Sequence, residues 1–221
     1  MGVNDLLVKI IFNQETNREF FIEENFPLES FYSQLEPHGL IFKVNRQPVD
    51  QFSDEIIQHD HSFWTNEIQP MVGDWLHGDT SIVQLAAFVE KVFGRQDFTG
   101  FKGDPRFIQN AYAHTIFSKR RSSIAMLYRW RMEHSADVTD RERMTRAADF
   151  AFRQAWALCP YSPDVLYPYV NFLLGQNRAD DAILIAETTA ALPQYKRDTQ
   201  AMQVVTQLKQ WRKEHPSKPV N

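Results

Sequence analysis

Apolar and polar positions change their spacing repeatedly over the first fifty residues. In "NDLLVKIIF" (4–12), Leu6, Leu7, Ile10 and Ile11 recur at helical intervals behind an Asn or Asp cap, which predicts a helix. "NQETN" reads as a turn. "EFFIEE" (19–24) is short, aromatic and β-branched, and reads as a buried strand. "PLESFYSQL" (27–35) opens on a proline suited to a first helical turn and carries Phe31 and Leu35 four apart, which suits a short helix. "HGLIFKVN" (38–45) reads as a second strand closed by Asn45. The order helix, strand, helix, strand predicts two parallel strands joined by a crossover. Two strands alone are marginal, so they are expected to lean on helices from later in the chain.

Beyond Asp50 no strand pattern stands out. "SDEIIQHDHSFWTNEIQPMVGDWL" (53–76) offers Ile56, Ile57, Phe63 and Trp64 behind a Ser53 cap, and Gly78-Asp79-Thr80 closes that region. "TSIVQLAAFVEKVF" (80–93) is amphipathic, with Ile82, Leu85, Ala86 and Val89 on one face. "AADFAFRQAWALCP" (147–160) then places Ala148, Phe152, Ala155 and Pro160 in a pattern that returns 34 residues later. There "DAILIAETTAALP" (181–193) supplies Ala182, Ala186 and Thr189, with Pro193 one position early. Small residues let paired helices approach closely, and the proline stops the second helix so the next can fold back. This period resembles the tetratricopeptide repeat. "SSIAMLYRW" is expected to begin the first unit, with "EHSADVTD" as a lengthened turn. The second unit is expected to turn at "GQNR", and "DTQAMQVVTQLKQW" to close the stack through Ala201, Val204, Val205, Leu208 and Trp211. The fold class expected is mainly α. A small N-terminal α/β segment of two strands (1–49) is followed by a helical connector (50–103) and by tetratricopeptide-like helical hairpins with a capping helix (104–221).

Composition changes this picture little, whereas charge changes it more. With 43% hydrophobic and 24% charged residues the chain has an ordinary globular balance. No apolar run approaches the roughly 20 residues that span a bilayer, and the N-terminus lacks the basic stretch of a signal peptide. A single cysteine, Cys159, excludes an internal disulfide. Residues 1–100 hold 16 acidic against 6 basic side chains, and residues 101–221 hold 12 against 18, so the halves differ sharply in sign. Two parts that dock on each other account for this, and an anionic partner for the basic half is the other reading.

The stretch "DFTGFKGDPRF" (97–107) tests for a phosphate loop. A Walker-type loop needs Gly-Lys-Ser/Thr, but Lys102 is followed by Gly103-Asp104-Pro105. Asp104 would repel a phosphate and Pro105 has no N–H to offer one. An N-cap aspartate with proline in the first turn, reached through a hinge of two glycines, accounts for the residues better. Lys102, Arg106, Asn110, Lys119, Arg120 and Arg121 cluster around this helix start and the next helix. They are candidate contacts for a carboxylate, sugar or phosphate, set against a solvated basic face. On a helix His59 and His61 point about 200° apart and do not share a metal. Cys159 lies between Leu158 and Pro160 at a helix end and reads as a core residue. Glu23-Glu24 and Asp180-Asp181 read as solvated turns, no GxSxG elbow is present, and no basic, aromatic-laced strand argues for nucleic acid. No catalytic residue, metal or cofactor is expected.

Taken together, "NDLLVKIIFNQETNREFFIEENFPLESFYSQLEPHGLIFKVN", "GFKGDPRFIQNAYAHTIFSKRRSSIAMLY" and "AFRQAWALCPYSPDVLYPYVNFLL" resemble the soluble region that follows the membrane helices in a bacterial family of multi-pass proteins of unassigned function. Those proteins are similar to protein O-mannosyltransferases and other lipid-sugar-using (GT-C type) glycosyltransferases. Asn17-Arg18-Glu19 stands before Phe20-Phe21 where that family often has an arginine–proline pair. The resemblance implies a soluble C-terminal domain on the extracytoplasmic face of a bacterial membrane. The family's presumed catalytic acids belong to loops between membrane helices, so none maps onto this chain. The function expected is a non-catalytic interaction or scaffolding domain. Its partner would be a peptide or protein segment, acidic to suit the basic residues, or the membrane part of its own parent protein. The alternative is a carbohydrate- or acceptor-binding accessory domain that uses aromatic residues near the 97–107 loop.

Overall fold

The structure, a computed structural model, describes residues 3–23, 29–195 and 199–215. Glu24 and Pro27, and the side chains of Asn4, Asp5 and Ala201, on which some sequence expectations fall, lie outside what is described. The chain is mainly helical with a small sheet near its start. It forms two compact units, each from two stretches: residues 1–67 with 123–148, and residues 68–122 with 149–221.

In the first unit, α1 (Val3–Gln14) precedes β1 (Phe20–Ile22), a 3₁₀ turn (Glu29–Gln34), β2 (Leu35–His38) and β3 (Ile41–Val44). The sheet order is β1-β3-β2, and both pairings are antiparallel. This corrects the expected parallel pair. The segment "LEPH", not expected as a strand from the sequence, is an edge strand, where the missing N–H of Pro37 is tolerated. Gly39, at φ +63°, then lets the chain reverse within two residues. β1 and β2 run the same way, as a crossover requires, but β3 sits between them and pairs with both.

The helix α1 forms where the spacing predicts, yet the stripe that marks it faces outward. Leu6, Leu7, Ile10 and Ile11 are each 43–51% exposed, whereas Phe12 is buried against the rings of Phe20 and Phe31. Arg46 fixes the end of α1: its guanidinium lies over Phe12 and donates to the carbonyls of Phe12, Glu15 and Arg18. The Phe12 carbonyl is one of the last-turn helix carbonyls that lack a partner inside the helix.

α2 (Asp54–Val72), α5 (Ala111–His134) and α6 (Val138–Leu158) each contribute to both units. Ser53 caps α2 as expected, its hydroxyl accepting from the Ile56 N–H. Buried Arg131 on α5 lies over the Phe52 ring and donates to the carbonyls of Ser33, Leu35 and Val49. One guanidinium thereby ties the 3₁₀ turn, the start of β2 and the loop after β3 together. Tyr128, fully buried, donates to Asp60 at 2.9 Å.

In the second unit, α3 (Ile82–Val89) begins with a capping box between Ser81 and Gln84 and runs into a single π turn (Glu90–Gly94). Ile82, Leu85, Ala86 and Val89 are buried, as the periodicity predicts. α4 (Pro105–Gln109) is short. α7 (Pro163–Gly175) and α8 (Ala179–Ala190) form a hairpin, and α9 (Thr199–Glu214) packs on α8. The turn at "GQNR" is a Schellman motif: Asn177 takes the left-handed conformation, while the N–H groups of Asn177 and Arg178 donate to Leu174 and Leu173. Ala148 and Ala182, the small residues of the 34-residue pattern, are both fully buried. Among the described side chains of α9, Val205 and Leu208 are buried, and Arg212 and Lys209 on its polar side pair with Asp180 and Glu187 of α8.

Candidate binding site

The 97–107 loop folds onto the end of α2 within the second unit. Gly73, at φ +93°, ends that helix, and the Asp104 N–H donates to the Met71 carbonyl at 3.1 Å. A Cβ on Gly103 would stand 2.4 Å from the same carbonyl oxygen and 2.5 Å from the Phe101 ring. Glycine is therefore required by backbone contact. The expected N-cap is also present: the Asp104 carboxylate accepts from the Arg106 N–H at 2.8 Å, with Pro105 in the first turn of α4. The side chain and backbone of Arg106 hold the Asp104 carboxyl below its ordinary pKa.

The loop borders an open cavity of about 260 Å³. Trp75 and Phe88 form its aromatic wall, with ring centroids 4.3 Å apart and planes 33° apart, and Phe101 stands 6.2 Å from Phe88. Val72 and Val92 supply an aliphatic lining. Trp75 is oriented by a hydrogen bond from Nε1 to the Val72 carbonyl at 2.8 Å, which also satisfies a terminal carbonyl of α2. Lys91, Lys102 and Asp74 provide the charges. The Lys91 ammonium donates to the Thr99 carbonyl, bracing the loop, while Lys102 is exposed. Such a site is an apolar recess with a net positive rim, suited to a flat or branched apolar group beside a carboxylate.

Of the six basic or polar candidates read from sequence, Lys102 lines this cavity. Arg106 is exposed and paired with Asp104 at 3.0 Å. Asn110 caps α5, its Oδ1 accepting from the Ala113 N–H. Lys119 lies 3.8 Å from Asp164, and Arg120 is half-buried. Arg121 is fully buried and donates to Gln154 at 2.8 Å. Trp75, Phe88 and Lys91 were not singled out from the sequence. The available signal was Phe88, an aromatic residue off the Ile82/Leu85/Val89 stripe of its own helix.

Two other titratable side chains of this unit, His114 and Cys159, are interior. His114 is buried against Phe93, Phe107 and Tyr161, with Nδ1 2.9 Å from the Tyr161 hydroxyl. Burial pushes its pKa down to about 4. The Cys159 thiol is buried and pushed up to about 11, and burial also raises Tyr161. Among the described residues no group of three His, Cys, Asp or Glu side chains is placed to hold a metal, and no helix is long and apolar enough to cross a membrane. No family model, no curated protein and no solved structure matches this chain.

Proposed function

We propose that this chain is a non-catalytic protein-interaction domain whose Trp75–Phe88–Phe101 cavity takes an apolar or aromatic side chain of a peptide. Acidic residues flanking that side chain meet Lys91 and Lys102. The observation that carries this reading is the pairing of an aromatic recess with a lysine rim on a loop held to α2 by backbone contact. Preorganisation of that kind lowers the ordering cost of binding. The neutral, interior state of His114 and Cys159 supports a binding role over a chemical one. The α7–α8 hairpin, with α9 laid on it and buried alanines at the repeat period, supports a tetratricopeptide-like scaffold behind the site. In this reading the chain is the soluble C-terminal part of a glycosyltransferase-like membrane protein. The outward apolar stripe of α1 supports a partner in that parent's membrane part.

Selection from a displayed peptide library against the full chain tests the proposal. Enrichment of an aromatic or leucine residue with Asp or Glu beside it supports the reading. Enrichment of basic peptides, or no enrichment, contradicts it.

A further inference from the structure

Tyr32 and Trp130 shape a second cavity, of about 390 Å³, in the first unit. Their ring centroids are 5.8 Å apart with planes at 53°. His134 stacks on Trp130 at 4.1 Å, fixing the indole from one side. Met126 adds an apolar surface, and Arg129 and Glu133 complete the lining as an ion pair at 2.7 Å. Both partners of that pair keep solvent contact, with side chains 28% and 43% exposed.

The charge arrangement narrows the occupant. An anion must draw Arg129 from Glu133, and a cation must draw Glu133 from Arg129, so each loses an existing pair. A purely apolar group would desolvate the pair and return no hydrogen bond. A hydroxyl escapes all three costs, because it donates to the carboxylate while accepting from the guanidinium. Aromatic faces beside the pair require an apolar surface on the same molecule. A pyranose ring has both: a face of C–H groups and a rim of hydroxyls. The volume falls in the range of small-molecule sites, roughly 300–1,000 Å³.

We infer that the Tyr32–Trp130 cavity binds a neutral saccharide, its C–H face against the aromatic rings and its hydroxyls bridging Arg129 and Glu133. This rests on residues other than those of the peptide site, and either can fail without the other.

The test is a titration of the ¹⁵N-labelled full chain with the methyl glycosides of glucose, mannose and galactose, and with maltose and cellobiose. The signal followed is the Trp130 indole N–H, assigned with Trp130→Phe. A saturable shift with at least one sugar is expected, with a dissociation constant on the order of 1 mM. Arg129→Gln, at a partly exposed position where folding is expected to survive, should weaken binding about tenfold, and Tyr32→Ala, read on the same indole signal, should abolish it. Glucuronate and glucosamine should bind no more tightly than glucose. The inference is overturned by an unmoved indole signal at roughly 50 times that concentration. Unchanged affinity in Arg129→Gln, or tighter binding of either charged sugar, overturns it equally.

Discussion

Gly103 and the Met71 carbonyl approach so closely that even a methyl group cannot stand between them: a Cβ would lie 2.4 Å from the oxygen. Gly103→Ala is therefore expected to push the loop off α2. The cost should be about 2 kcal/mol or more, since backbone rather than a flexible side chain must give way. Urea unfolding checks it. Gly100→Ala tests a different cause, because φ is +70° there but a Cβ meets nothing within 4 Å. It should cost only about 1 kcal/mol.

Arg131 gives a second prediction. Its guanidinium serves three carbonyls and the Phe52 ring, so Arg131→Met removes all of these donations at once, the one to the buried Leu35 carbonyl included. A loss of about 2–4 kcal/mol is expected. Arg131→Lys should recover less than half of it, because an ammonium cannot fork across carbonyls in a plane. Thermal denaturation of the two variants beside the parent measures the difference.

His114 sets an acid limit. Its folded pKa, about 4, lies below the ordinary 6.5, so the folded state resists a proton that the unfolded state accepts. Stability is then whole above about pH 6.5 and falls as the pH drops towards 4. The loss should reach about 3 kcal/mol. Among the described residues His114 Nε2 has no hydrogen-bond partner, so protonation there finds no compensating acceptor. His114→Phe should flatten the slope between pH 6.5 and 4 even if it lowers stability throughout. Urea midpoints across that range decide the matter; an unchanged slope removes His114 as the cause.

The helix seam around Ala182 is filled. Ala182→Leu should cost about 1–3 kcal/mol by overpacking. Ala191→Leu, at an exposed position just past the same helix, should change stability by less than about 0.5 kcal/mol. Equal effects at the two positions would show that the seam is not close-packed.

Local rules made much of the helical part legible. The apolar stripe of α3, the Ser53 and Asp104 caps and the "GQNR" turn depend on neighbours along the chain, and all appear where the sequence places them. What the sequence concealed depends on distant partners. Pro37 hides β2, because its tolerance follows from an edge position that only the sheet order reveals. The α1 spacing identifies a helix but not which way its stripe faces, and Phe12 rather than Leu6 or Ile10 turns inward. Arginines were the hardest to read. Arg46, Arg121 and Arg131 have the composition of a basic surface, yet each is held by groups at least 28 positions away. For the cavity, the 97–107 loop announced itself through its glycines, whereas Trp75 and Lys91 join it only once the loop has folded onto α2.

The claim that the Trp75 cavity recognises an apolar side chain beside a carboxylate is tested most directly by calorimetry with an enriched peptide. Trp75→Ala should weaken binding about thirtyfold or more, the range of a central aromatic anchor. Lys102→Glu should weaken it about threefold to fivefold, as an exposed charge does, and a peptide with Lys replacing its acidic residue should restore that loss. Equal affinities of the parent, Trp75→Ala and Lys102→Glu for the same peptide would contradict the account.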